Sequence, residues 1–218
     1  RLLRFYGARL FEITAKKGGF SKCIELADKK SKKNGYFGPK QFDNTWNIMA
    51  HVNTTAPEVE KAFKKHNLGT LDAFITGMGT GGTIMGLHHY FSEKNANFEA
   101  FPILPISNED GKHQIEGIGD SFIPKIVDLQ SLGDILRVSD ADALNISRQI
   151  NKLGLSVGIS SGANVFGAIL KAEEKNHRSN VCTILCDGNK KYLSTTLTSN
   201  TPQNLSRDIK VLDFEIFS

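Results

Sequence analysis

The chain has 218 residues, 39% of them hydrophobic and 23% charged, with 20 Gly and 6 Pro. This is the composition of an ordinary globular protein, and it excludes collagen-like, coiled-coil and disordered classes. Lys plus Arg number 27 against 23 Asp plus Glu, a net charge of +4. That balance is too slight to indicate nucleic acid or a membrane surface as partner, but it leaves small anions open. Cys23, Cys182 and Cys186 do not make a disulfide framework or a metal cluster, so no metal is expected and a reducing, cytoplasmic setting is. The longest apolar stretch, around Ala100 to Ile106, is far short of the ~20 residues that span a bilayer.

In chain order, Arg1 to Tyr6 reads as the last turns of an amphipathic helix closed by Gly7, followed by a strand over Ala8 to Ile13. A helix that short is unstable alone, so the start reads as the continuation of a longer chain. Phe20, Cys23, Ile24 and Ala27 predict a helix ended by Asn34-Gly35, and Tyr36-Phe37 a short strand before the loop Gly38 to Asn44. Thr55-Ala56-Pro57-Glu58 has capping-box spacing ahead of Val59, Ala62 and Phe63. Strands are expected at Leu71 to Thr76, Phe101 to Ile106, Ile135 to Val138 and Val181 to Leu185. Helices are expected around Ile84 to Phe91, after the cap Ser139, and from Ala163 to Ala172. This alternation predicts an α/β fold with a parallel, helix-covered sheet.

Between the first of these strands and its helix lies Gly77-Met78-Gly79-Thr80-Gly81-Gly82-Thr83. Glycines let the backbone turn tightly there and aim N–H groups at an anion, so the loop reads as a phosphate cradle. It also satisfies the dinucleotide pattern GxGxxG, but the acidic residue expected about 20 positions on is missing. Pro102 and Ile103 stand there instead.

The segment GMGTGGTIMG from Gly77 resembles the phosphate loop of fold type II pyridoxal phosphate enzymes, specifically the cysteine synthase and cystathionine β-synthase family. PKQFDNTWNIMAHVNTTAPEV from Pro39, IEGIGDSFIP from Ile115, GISSGA from Gly158 and KKYLST from Lys190 follow that family's pattern in order. The resemblance implies a parallel-rich three-layer sandwich of the tryptophan synthase β-like kind. Residues 1–43 would be the remnant of a smaller N-terminal domain, largely missing, and 44–218 the large cofactor-binding domain. It further implies pyridoxal 5'-phosphate as cofactor, with Gly79, Thr80, Gly81, Gly82 and Thr83 on its phosphate, Ser160 at its pyridine nitrogen and Asp187 near that end. Gln41 would contact the substrate carboxylate, and Gly117 and Gly119 would approach the substrate and ring. Asp120 is a candidate general base at the substrate's β-carbon.

The implied reaction converts O-acetylserine and sulfide to cysteine and acetate, with a small amino acid and a sulfide or thiol as partners and a cytoplasmic homodimer as the assembly. Cystathionine β-synthase, cysteine desulfhydrase, serine or threonine dehydratase and a non-catalytic phosphate-binding remnant stay open beside it. The family's Schiff-base lysine belongs to an upstream motif not found in these residues, so the chain alone is expected to be inactive. Cys186 reads as a small buried residue.

Overall fold

The computed structural model describes residues 2–107, 112–119, 122–175, 179–199, 204–213 and 215. The chain divides into two compact units, Arg1–Gln41 and Phe42–Ser218. In the first, helix α1 (Leu2–Phe5) ends in a turn where Gly7 takes φ +83°. Helix α2 (Gly19–Ser31) starts from Gly18 at φ +102°, and an ion pair of 2.7 Å joins Lys22 to Glu25 along it. Neither Ala8 to Ile13 nor Tyr36-Phe37 forms the expected strand. Apolar character without a neighbouring backbone to complete a ladder does not make a strand, and Phe37 is 86% exposed.

The second unit is built on four parallel strands, β1 (Ala73–Gly77), β2 (Glu99–Pro105), β3 (Leu136–Val138) and β4 (Val181–Thr183), in the order β3-β2-β1-β4. Register is set by Ala73 opposite both Glu99 and Val181, and by Ile103 opposite Leu136. Successive side chains of a strand point to opposite faces, and here both faces are covered, which is why the strands read as continuous apolar runs. Ala73 and Ile75 of β1, with Ile103 of β2, pack on α6 (Asp140–Lys152) and α7 (Ile159–Glu174) through Leu144, Ile146, Ala163 and Phe166. Phe74 and Ala100 face the other way, onto α3 (Trp46–Asn53), α4 (Thr55–Lys65) and α5 (Gly82–Ser92), where Ile48, Ala56, Ile84 and Leu87 close the layer. Each large side chain so enclosed contributes about 1.5–3 kcal/mol, and these two layers fix the sheet that carries the loops. The expected three-layer α/β sandwich is the architecture observed.

Helix boundaries differ from expectation where side chains found tertiary partners. Thr54, not Thr55, precedes α4, and its side chain does not cap the helix. The Thr55 hydroxyl lies 2.9 Å from His51 Nδ1 instead. Ser139 does cap α6, accepting from the Asp142 N–H at 3.1 Å. α7 begins four residues before Ala163, at Ile159, with Gly158 as its cap, which places Ser160 inside the first turn. The polar segment after Ser199 also has a place: Gln149 brackets the Ile209 carbonyl and the Val211 N–H at 2.8 and 2.7 Å, and the Ser206 hydroxyl donates to buried Asp142.

Candidate functional site

Parallel α/β sheets bind ligands outside the carboxyl ends of their strands, in the crevice where successive connections leave in different directions. Here β1 exits at Gly77 toward α5 on one face, while α7 lies on the other face and β4 exits beside β1. A cavity of about 430 Å³ opens at this point. Gly79, Thr80, Gly81 and Thr83 line one part of it, and Ser160, Cys186, Asp187 and Lys191 another, with Gly117 and Ile118 alongside.

The loop after β1 needs its glycines. Gly81 takes φ +85°, and a Cβ on it would stand 2.0 Å from Val127 Cγ2. A Cβ on Gly79 would meet the Gly117 carbonyl oxygen at 2.3 Å. Gly81 is also the cap of α5 and offers no side chain; the Gly82 N–H reaches the Thr80 hydroxyl oxygen at 3.4 Å, and the positive end of the helix faces the loop. Thr80 Oγ1 accepts from Asn47 Nδ2 at 2.9 Å, and Thr83 Oγ1 lies 3.2 Å from His51 Nε2. Burial lowers the pKa of His51 below its ordinary value, which favours the neutral ring.

The base of the loop is held by Asn164, fully buried in α7. Its Oδ1 accepts from the Gly77 N–H at 2.7 Å, and its Nδ2 donates to the Ile184 carbonyl at 2.8 Å, tying the ends of β1 and β4 together. The same amide is 3.2 Å from Cys186 Sγ. Cys186 is exposed on the cavity, not buried as expected, and its thiol is raised by enclosure within protein and then by the Asp187 carboxylate.

At the far end, Asp187 is gripped from three directions. Tyr192 donates to its Oδ2 at 2.8 Å, Lys191 Nζ sits 2.7 Å from the same oxygen, and Ser160 Oγ is 3.5 Å from Oδ1. Gly158 is required at the α7 cap because a Cβ there would lie 2.0 Å from Asp187 Oδ1. Burial and the Asp187 carboxylate push the Tyr192 hydroxyl up to about 12, and the hydrogen bond to Asp187 raises Lys191 well above an ordinary lysine. Lys191 thus stands as an ion-paired cation at the rim, its side chain 57% exposed.

The residues expected from sequence are thus brought together unevenly. Gly79, Thr80, Gly81, Thr83, Gly117, Ser160 and Asp187 share one cavity. Gly82 is buried beneath it against Asn47, and Gly119 stands behind the wall, at φ +75°, donating to the Met78 carbonyl at 3.2 Å and packed on Pro105. Gln41 is the exposed last residue of the first unit, and Asp120 lies outside the described residues. Asn47, His51, Asn164 and Lys191 were not singled out from sequence, because only the packing of α3 and α7 and the turn after β4 bring them to the loop.

Comparison with known proteins places this chain in a family. The family described as pyridoxal-phosphate dependent enzyme matches residues 1–187. A cysteine synthase of Staphylococcus aureus (strain Mu50 / ATCC 700699) is 36% identical over 208 residues, covering 91% of this chain and 65% of that protein. The chain thus spans about two thirds, and slightly less, of the length of the curated relative it matches. A hydrogen sulfide-producing enzyme from Fusobacterium nucleatum superposes with a TM-score of 0.86 at 37% identity, over 94% of this chain and 63% of the other. A cysteine synthase from Entamoeba histolytica does so with a TM-score of 0.79 at 28% identity, over 94% and 62%. The strand order and these matches together make the chain a member of the pyridoxal-phosphate dependent enzyme family, with the fold of its type II members.

Proposed function

We propose that this chain forms the cofactor-binding part of a cysteine synthase-like enzyme that replaces the β-substituent of O-acetylserine with sulfide, giving cysteine and acetate. The observation that carries the reading is the two-ended cavity, with anion donors at one end and Ser160 beside Asp187 at the other. Pyridoxal 5'-phosphate has a matching form, a phosphate dianion on one side of the ring and a ring nitrogen on another, and the loop can take a cradle's shape because Gly79 and Gly81 let it pack directly against Gly117 and Val127.

Gly79, Thr80, Gly81, Gly82 and Thr83 would hold the phosphate through backbone N–H groups, threonine hydroxyls and the positive end of α5. Ser160 would meet the ring nitrogen and Asp187 would steady that end, while Gly117, lacking a side chain, would let the ring come close. When bound, the cofactor withdraws electrons from the substrate's α-carbon, so that a β-leaving group departs and a nucleophile replaces it. A serine hydroxyl at the ring nitrogen makes a weaker electron sink than a carboxylate, which suits prompt loss of acetate.

By resemblance, Gln41 would donate its amide to the substrate carboxylate and Asp120 would act as a base near the β-carbon. Residues 1–43 would belong to the smaller domain and 44–218 to the larger, in a cytoplasmic homodimer. The curated relatives are named cysteine synthases, which supports that reading, while the hydrogen sulfide-producing enzyme that superposes with a TM-score of 0.86 keeps sulfide release from cysteine as the alternative. Lys191, the lysine among the cavity's lining residues, is ion-paired with Asp187, and the family's Schiff-base motif is not found in these residues, so this chain alone is expected to bind cofactor without turnover.

Product assays on the complete gene product test the reaction: cysteine from O-acetylserine and sulfide should outpace products from serine or from cysteine as substrate. Faster release of sulfide from cysteine would overturn it. For the 218-residue chain, calorimetry should show saturable binding of pyridoxal phosphate, and cofactor covalently retained through gel filtration would refute the assignment of Lys191.

A further inference from the structure

The helix α3 lies against α5 through a matched pair of positions. Asn47 and His51, four residues apart and on one helical face, meet Gly82 and Gly86, which have the same spacing on α5. A Cβ on Gly82 would stand 2.0 Å from Asn47 Oδ1, and one on Gly86 would stand 2.5 Å from His51 Cβ. The two glycines therefore admit these two polar side chains to the underside of the loop. From there Asn47 Nδ2 reaches Thr80 Oγ1 at 2.9 Å, and His51 Nε2 reaches Thr83 Oγ1 at 3.2 Å. The other ring nitrogen of His51 is held 2.9 Å from the Thr55 hydroxyl.

A threonine hydroxyl has one proton and two lone pairs, whereas a phosphate dianion only accepts. If the hydroxyl proton points at α3, the lone pairs face the anion and repel it; if α3 supplies a donor, the proton is left for the cavity. Asn47 Nδ2 can only donate, which settles Thr80. At His51, the ring whose Nδ1 accepts from Thr55 carries its proton on Nε2 and donates to Thr83, and the protonated ring donates there as well. Both threonines line the cavity.

We propose that Asn47 and His51 are positioning residues for the phosphate cradle: by donating to Thr80 and Thr83 they turn both hydroxyl protons toward a bound phosphate. The proposal rests on the reading of Gly79 to Thr83 as that cradle. It makes α3 part of the cofactor site although its side chains lie behind the loop. It also gives the glycine spacing of α5 a second purpose beyond close packing.

The test is calorimetry of the 218-residue chain with pyridoxal 5'-phosphate, inorganic phosphate and pyridoxal, which lacks the phosphate. His51→Ala should weaken the two phosphate ligands about tenfold, the scale of one hydrogen bond to a charged group, and leave pyridoxal unchanged. His51→Gln, whose amide nitrogen replaces the Nε2 donor, should restore affinity to within about twofold. In a Thr83→Val background, His51→Ala should have no further effect, because the hydroxyl it orients is gone.

Equal loss for pyridoxal, additive loss in the Thr83→Val background, or no loss at all would overturn the proposal. Should His51→Ala fail to fold by circular dichroism, Asn47→Asp asks the same question at Thr80, where a carboxylate cannot donate; unchanged phosphate binding there would overturn it too. Wild-type chain that binds neither phosphate ligand would refute the cradle itself, whereas wild-type binding with unaffected variants refutes only the role of α3.

Discussion

Asn164 is the side chain whose loss should be felt most widely, since it is fully buried and its two ends tie strands β1 and β4. Asn164→Ala leaves the Gly77 N–H and the Ile184 carbonyl without their 2.7 and 2.8 Å partners. A buried polar group left unpaired costs about 1–3 kcal/mol. Both groups belong to residues that line the cavity, so water can reach them in part, and the total should fall near 2–3 kcal/mol, a large share of the ~5–15 kcal/mol by which a domain is stable.

Urea unfolding followed by fluorescence should show the midpoint falling by about 1 M, with slopes of ~1–3 kcal/mol/M unchanged. Asn164→Asp separates the two ends: it keeps an acceptor for Gly77 but sets a carboxylate against the Ile184 carbonyl, so it should be no more stable than the alanine variant. Phosphate affinity should fall with both, because Gly77 is where the proposed cradle begins. A midpoint within ~0.2 M of wild type for Asn164→Ala, or full stability of Asn164→Asp, would refute the view that this amide ties the two strand ends.

Two further outcomes follow from other parts of the unit. In a Cys23→Ser background at pH 8, iodoacetamide should modify Cys186, open to the cavity, before Cys182, whose thiol burial pushes up to about 11. Bound pyridoxal phosphate should protect Cys186 alone, and mass spectrometry showing Cys182 modified first, or no protection, would contradict the cavity assignment. Glu60 joins α4 to α5 by accepting from Lys94 at 2.9 Å and Tyr90 at 3.0 Å, with Lys64 at 3.2 Å, and these contacts, Lys94 foremost, lower its carboxyl to about 2. A depressed carboxyl adds stability above its unfolded value and loses it as pH falls from about 4.5 toward 2. Glu60→Gln should therefore flatten the thermal midpoint across that window, by less than ~1 kcal/mol because the cations are exposed.

What could be seen in the sequence was whatever depends on near neighbours along the chain. The strand, glycine loop and helix unit was legible because its three parts are contiguous, and the sheet was legible because strands buried on both faces read as apolar runs. Tyr36-Phe37 misled for the complementary reason, since two aromatic residues carry a strand's composition without a ladder partner. The start of α7 was expected at Ala163, yet the helix begins after the cap Gly158, and the cause lies 29 residues away in the Asp187 carboxylate that leaves no room for a Cβ.

Asp187 was singled out by resemblance alone, because its hold on Tyr192 and Lys191 is made across a turn whose shape composition does not encode. The supporting groups of the site were the least visible. Asn47 and His51 have ordinary helical spacing, and so do Gly82 and Gly86; the meaning lies in the two spacings coinciding across a helix interface, which neither segment announces by itself. A sequence reader could have found this by asking why α5 carries a second glycine a full turn beyond the cradle, where no ligand reaches. The answer is that a glycine inside a helix, costing about 1 kcal/mol against alanine, is tolerated when it lets another backbone or side chain come close. At Gly86 the close neighbour is His51 of α3.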